Sequence, residues 1–214
     1  MVALSTRLSK TRFLAGLQCV RRLWLETYSR ELGTYSAQQQ HQFARGYAFN
    51  AAAQQWLGAG LEIPLALDQD AALAATDQHM PLIRAQKAWL FEGAFLADGL
   101  VVRVDALAWR SGWRLVEAKA SLEVRAHYLW DCAVQAYTMQ AAGHTLSTVF
   151  LLLQAPACGF RLQNVSAACA ALLAQVPQKR AQFEQILAGT EPQIRPGGHC
   201  DRPHACPFKR HCSR

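Results

Sequence analysis

Two turn signals, Asp98-Gly99 and Ser111-Gly112, cut the apolar stretch 87–120 into three pieces of strand length. This constrains the fold more than any other feature of the chain. The pieces alternate in hydropathy and read as a three-stranded meander. A three-residue second loop, 110–112 with Gly112 left-handed, pairs Trp109 with Trp113. That register sets Asp105 opposite Glu117, roughly 5 Å away at Cβ. Lys119 then shares their face by the period of two. A two-residue loop would turn Asp105 away from Glu117. The other face, with Val102, Val104, Ala106, Val116 and Ala118, is apolar enough to be core. An acidic pair beside it therefore needs a reason. Carboxylates on neighbouring strands can hold a divalent metal, and an ammonium beside them can handle a water or an anionic charge.

Helices are expected over 9–28, 37–57, 70–79 and 124–142, with a pair flanking Pro177 at 166–176 and 178–187. The apolar run 145–153 suits a buried strand, and 159–165 can pair with it. The chain has 214 residues, 51% hydrophobic and 17% charged, which suits one core and one domain over 1–214. The expected class is α/β, a central mixed sheet flanked by helices.

Charge is concentrated at the two ends. Residues 1–30 hold Arg7, Lys10, Arg12, Arg21, Arg22 and Arg30 against Glu26. Residues 195–214 hold Arg195, Arg202, Lys209, Arg210 and Arg214 against Asp201. These eleven bases and two acids give +9, while the whole chain is +7, so the stretch between carries −2. Such ends attract phosphates, and DNA is the expected partner. No run reaches about 18 apolar residues and residues 1–10 lack the apolar core of a secretory signal, so a cytoplasmic chain without a membrane is expected.

Seven cysteines are present. In a cytosolic chain this number points to metal binding more than to disulfides. Cys200-x5-Cys206-x5-Cys212 lies in a Gly/Pro/His-rich tail where no packed core explains it. Thiolates there suit an iron–sulfur cluster or zinc, and the spacing, unlike the C-x2-C of zinc ribbons, favours a 4Fe–4S cluster. His199, His204 and His211 could replace a thiolate in a zinc version of the site, but read first as solvated loop residues. Cys132, Cys158 and Cys169, among Ala, Val and Leu, read as buried small residues.

With these residues in view, the chain resembles the PD-(D/E)xK nuclease superfamily. More narrowly it resembles the RecB-like branch that includes the small iron–sulfur CRISPR-associated exonucleases. The resemblance runs from Leu8-Ser9-Lys10 and Gln18-Cys19-Val20-Arg21-Arg22-Leu23-Trp24-Leu25 through Phe43-Ala44-Arg45-Gly46, Glu92, Asp105, Glu117-Ala118-Lys119, Asp131 and Gln135 to the cysteines of 200–212. It implies a restriction-endonuclease-like core with a C-terminal cysteine-cluster segment. It assigns Asp105 and Glu117 to magnesium or manganese and Lys119 to the water or the developing charge. Gln135 falls to the metal shell or the nucleic acid. Cys19 becomes the fourth cluster ligand, joining 1–30 to 189–214, and Arg21, Arg22, Lys209 and Arg210 face DNA. The activity implied is exonuclease action on single-stranded or frayed DNA ends, in repair or CRISPR adaptation.

Two departures stand out. Many relatives carry a metal-binding His where this chain has Asn50, a poorer, neutral ligand. The Tyr that often follows the Gln by four residues is here Met139, and Tyr137 lies off that helix face. Glu92, a charge within an apolar strand, reads as an outer partner of the metal site or a hydrogen-bond partner of Lys119, against an ion pair with Arg103. Asp131 reads as a site residue sharing a face with Gln135 or as a solvated helix carboxylate. Two other classes of function stay open. One is a catalytically weak iron–sulfur DNA-binding module acting with a helicase or integrase partner. The other is a zinc-stapled scaffold for protein partners.

Overall fold

In the computed structural model, which describes residues 7–214, a two-residue strand β1 (Leu8–Ser9) leads directly into helix α1 (Lys10–Gln18). Ser9 makes the transition by capping α1, its hydroxyl accepting from the Arg12 N–H at 3.3 Å. Helix α2 (Val20–Tyr28) follows after a break at Cys19, whose backbone is extended (φ −165°, ψ 124°). One continuous helix over 9–28 was the expectation. Instead Cys19 closes one helix, its N–H donating to Ala15, and opens the next, its carbonyl accepting from Leu23. Helix α3 (Ala37–Leu57) begins at a reciprocal capping box between Ser36 and Gln39.

Strand β2 (Gly60–Glu62) and helix α4 (Gln69–Gln86) come next. Pro81 lies inside α4, where a helix stop would be expected. The turn beyond it survives because Met80 and Ile83 are both buried there, 6% and 1% exposed. The meander forms with the expected turns as β3 (Trp89–Ala97), β4 (Leu100–Trp109) and β5 (Trp113–Lys119). Trp109 does pair with Trp113. The left-handed residue of that loop is Ser111 at φ 59°, while Gly112 sits at φ 153° against Ser147, where an added Cβ would lie 2.8 Å from the serine Cβ.

Helix α5 (Ala126–Ala141), strands β6 (Leu146–Ala155) and β7 (Gly159–Asn164), and helices α6 (Ser166–Leu173) and α7 (Val176–Ala188) complete the core. A short α8 (Lys209–Cys212) lies in the tail. The seven-stranded sheet runs β2-β3-β4-β5-β6-β7, with β1 parallel to β4. It is mixed: β2–β3 and β5–β6 are parallel, while β3–β4, β4–β5 and β6–β7 are antiparallel. This is the α/β arrangement expected.

The two apolar layers are unequal. The larger packs Phe13, Leu23, Ile83, Val134, Met139, Val176 and Phe183 from the helices onto the sheet. The smaller is Ala53 of α3 on Phe91, Ala106, Val116, Ala118 and Leu152. Val102 and Val104 belong to the first layer and Ala106 to the second, so β4 changes sides at Asp105. Cys132 and Cys169 are buried as expected; the side chain of Cys158 lies outside the described residues. Among the described residues no helix is long and apolar enough to cross a membrane.

Candidate active site

Regular pairing of β4 with β5 ends at Ala106 opposite Val116. One step beyond, a side chain replaces a backbone partner: Asp105 Oδ2 accepts the Ala118 N–H at 2.7 Å. This bond ties Asp105 to the strand that carries Glu117 and Lys119. On the other side, β3 pairs Phe91 with Ala106 and Gly93 with Val104, which leaves Glu92 level with Asp105. The three carboxylates therefore form a row across three strands. Glu92 is buried with φ 57°, a conformation that costs a side-chain-bearing residue on the order of 1 kcal/mol. Strained residues of this kind cluster at functional sites. Glu92 makes neither expected bond; Arg103 instead donates to the Pro64 carbonyl at 3.1 Å.

Helix α5 brings Asp131 and Gln135 to the same place, one helical turn apart, and both are buried. Helix α1 brings Lys10, a residue that the sequence did not single out as part of the site. Lys119 Nζ lies 2.6 Å from Glu117 Oε1 and 2.5 Å from Asp131 Oδ2. Lys10 Nζ lies 3.3 Å from Glu117 Oε2 and 3.1 Å from Asp131 Oδ1. Gln135 Nε2 donates to Glu117 Oε2 at 2.8 Å and to Asp131 Oδ1 at 3.2 Å. Every oxygen of Glu117 and Asp131 is thus fixed. A signal for Lys10 did exist in the sequence: it stands three residues before Phe13 and seven before Leu17, on the apolar face of its helix.

The charges do not balance. Asp105, Glu117 and Asp131 face Lys10 and Lys119, and Glu92 adds a fourth carboxylate that also feels Arg103, so among the described residues the carboxylates outnumber the cations around them. Burial, with Asp105 and Asp131 beside it, pushes the Glu117 carboxyl up to about 7 despite the two lysines. Burial raises Asp105 and Glu92 as well. For Asp131 burial acts the same way, but Lys10 and Lys119 overcome it and hold the group below the ordinary range. Burial also opposes charge on both lysines, yet Asp131, Glu117 and Asp105 hold them above theirs. Lys119 therefore stays an ammonium donor at neutral pH.

Among the described residues no group of three or more His, Cys, Asp or Glu side chains is arranged to hold a metal ion. The lysines span the carboxylate oxygens. Two observations nevertheless fit a divalent cation. The carboxylates carry an excess of negative charge, and Gln135 Oε1 is buried without a hydrogen-bond partner. Protonation of Glu117 would remove a donor. Manganese affinity, measured calorimetrically, should therefore fall roughly tenfold for each pH unit below the Glu117 value. An affinity unchanged between pH 6 and pH 8 would mean that Glu117 is not a ligand.

The row opens into a groove of about 290 Å³. Its far wall is α3, through Gln42, Phe43, Gly46, Tyr47 and Asn50; its near wall is Asp105, Glu117, Lys119 and Ala120. Asn50 therefore does face the acidic row. Tyr137 does not: its hydroxyl donates to Asp98 Oδ2 at 2.5 Å, away from the site.

The cysteine segment folds back onto the first two helices. Gln18 Nε2 donates to the carbonyls of His199 and His204 at 2.7 and 2.8 Å. Trp24 Nε1 donates to the Gly189 carbonyl at 3.1 Å, and the Tyr28 hydroxyl to that of Leu187 at 2.7 Å. Burial raises the Cys206 and Cys212 thiols, and in both cases Cys19 and Cys200 are near enough to add to the effect. His204 is an exposed loop residue, as expected, and its ring also packs on His127 of α5 with centroids 4.8 Å apart. Burial, with His204, Lys119 and Arg125 nearby, pushes His127 down to about 4.

Of the cations assigned to DNA, three are engaged within the chain. Arg21 pairs with Glu191 at 2.6 Å, and Arg22 with Glu26 at 3.4 Å. Lys209 pairs with Asp201 at 2.8 Å. Arg210 is exposed.

No family model and no curated protein matches the chain. Among solved structures, the protein SSO0001 is similar with a TM-score of 0.41 and 12% identity, over 91% of this chain and 82% of that one. An alkaline exonuclease, LHK-Exo from Laribacter hongkongensis, is similar with a TM-score of 0.38 and 14% identity, over 85% of this chain and 91% of that one. Neither score is high enough to assign a family or a role.

Proposed function

We propose that this groove hydrolyses phosphodiester bonds of DNA, as a metal-dependent exonuclease working on single-stranded or frayed ends. The observation that carries the reading is the buried assembly of Asp105, Glu117, Asp131, Gln135, Lys10 and Lys119, of which Asp105, Glu117 and Lys119 line an open groove. Asp105 and Glu117 would hold magnesium or manganese, with Asn50, Glu92 and Gln135 Oε1 as further oxygen donors. When bound, the metal supplies Lewis-acid polarisation of the phosphate and lowers the pKa of an attacking water. Gln135 holds Glu117 in place through Oε2. Lys119, fixed as an ammonium, offsets the negative charge that grows on the phosphate. Lys10 keeps Asp131 ionised in the protein interior and offsets part of the negative charge at Glu117. End-labelled single-stranded and duplex DNA, incubated with manganese, magnesium or EDTA, test the activity. Metal-dependent release of nucleotides from one end supports the exonuclease, and internal cuts would make it an endonuclease.

The same reading places a 4Fe–4S cluster on Cys19, Cys200, Cys206 and Cys212. Its support is that Cys19 and Cys200 lie near enough to Cys206 and Cys212 to raise their thiols, together with the hydrogen bonds from 1–30 to the tail. Its role there would be to staple the first helices to 189–214, a segment poor in buried apolar residues. Anaerobically purified protein should be brown and carry about four irons. Cys212→Ser should lose the colour and expose 189–214 to proteolysis. Stoichiometric zinc in colourless protein would replace the cluster with a zinc staple. Arg210, and Arg21, Arg22 and Lys209 on release from their pairs, are the proposed contacts to the DNA backbone.

A second reading is a catalytically weak iron–sulfur DNA-binding module acting with a helicase or integrase partner. Asn50, a neutral donor facing the acidic row, favours it.

A further inference from the structure

Helix α3 is the least supported of the long elements. Of its 21 residues only Ala53 is buried. Phe43 and Tyr47, which line the acidic groove, are 49% and 71% exposed. They stand four residues apart, so they share one helix face about 6 Å apart along the axis. Tyr35 braces Phe43 edge-on, at 5.3 Å between centroids and 76° between planes. Phe43 is thus oriented by the protein while its ring stays open. Tyr47 is oriented only by the helix.

Between the two rings lies Gly46, also in the groove lining. A Cβ added there would meet nothing within 4 Å. Glycine inside a helix costs roughly 1 kcal/mol relative to alanine, and here no packing within the protein requires it. The position keeps clear a space that the protein itself does not fill. The chemistry of the helix narrows what fills it. Its sequence, AQQQHQFARGYAFNAAAQQWL, has six Gln and one Asn but no Asp or Glu. Arg45 is its one formal cation. A polyanion meets no repulsion on this wall, and uncharged amides can donate to it or to base edges. With a single arginine, the wall is not built to grip a duplex by its phosphates alone. Open rings fit exposed base faces, and only unpaired strands present those.

We infer that Phe43 and Tyr47 form a stacking platform for two unpaired nucleobases, with Gly46 making room for the strand to pass toward the Asp105–Glu117 row. The inference rests on the reading of that row as the phosphodiester site. It adds the part of the ligand that the site grips: bases of a single strand, seated on the α3 wall. Catalysis needs no part in the test, because the platform acts in binding.

The experiment is fluorescence anisotropy in EDTA with a labelled oligothymidylate of about 20 nucleotides, and with an abasic strand of equal length. Phe43→Ala/Tyr47→Ala should weaken binding of the base-bearing strand by about 30-fold or more. Its effect on the abasic strand should stay within about twofold. Phe43→Tyr/Tyr47→Phe, which keeps both rings, should bind the base-bearing strand within about twofold of wild type. Both positions are exposed, and thermal melts check that each variant folds. Equal losses on the two strands, an unchanged affinity in the double-alanine variant, or a wild type that binds neither strand would each overturn the platform. Cleavage by wild type in manganese is scored separately. A protein that never cuts but shows the base-dependent loss keeps the platform and loses the nuclease reading. One that cuts, with affinity unchanged in the variant, does the reverse.

Discussion

Lys119→Ala lowers the rate of strand cleavage by roughly a thousandfold, the scale of losing one fixed donor from a preorganised site. The loss falls on kcat, because the ammonium is held where charge grows and not where the strand is gripped. Lys119 is 22% exposed at its side chain, lies 2.6 Å from Glu117, and stays charged at neutral pH under the pull of three carboxylates. Lys119→Arg keeps the charge but not the compact tetrahedral donor, so it should recover little. Rapid-quench kinetics on an end-labelled strand read the effect. If Lys119→Ala cut within about tenfold of wild type, the assigned role would be wrong.

The second large effect is on stability. Lys10 is 18% exposed and lies between Glu117 and Asp131, which are 2% and 7% exposed at their side chains. Replacing it by Met keeps the stem but leaves two buried carboxylates with a single ammonium. Breaking a buried pair from one side costs about 3 kcal/mol. For a chain of this size the melting temperature should drop by about 10 °C in EDTA. Manganese should restore part of the loss in Lys10→Met, because its charge replaces the missing one. If Lys10 were an ordinary surface cation, the change would stay within about 0.5 kcal/mol and manganese would not matter.

The sequence carried the meander and its register because both are local. Asp98-Gly99 and Ser111-Gly112 mark the turns, and the loop length places Trp109 on Trp113 and Ala106 on Val116, one step short of Asp105 and Glu117. Gln135 and Asp131 follow from helical spacing. Lys10 showed only as a charge on the apolar face of its helix, because where that face docks is set from a distance. The pairing of Leu8 with Leu100 and Ser9 with Val101 pins the start of α1 over the sheet, and a two-residue strand has no periodicity to show. The break at Cys19 has no Gly or Pro to announce it. The positive φ of Glu92 and the switch of β4 between layers at Asp105 arise from three strands fitting together, which no single segment encodes. The inward pairing of Arg21 was hidden for the same reason: Glu191 is 170 residues away from it, whereas the Arg22 pair with Glu26 is local, four residues along the same helix.

The measurement closest to the central claim is cleavage of an end-labelled single strand by wild type and by Asp105→Asn, each in manganese and in EDTA. Asp105→Asn is nearly isosteric and removes one negative charge from the acidic row, so the fold should persist. The expected result is cutting by wild type in manganese, none in EDTA, and a loss of at least a hundredfold in Asp105→Asn. Equal cutting by both proteins, or cutting by wild type that persists in EDTA, would contradict a metal-dependent site at Asp105 and Glu117.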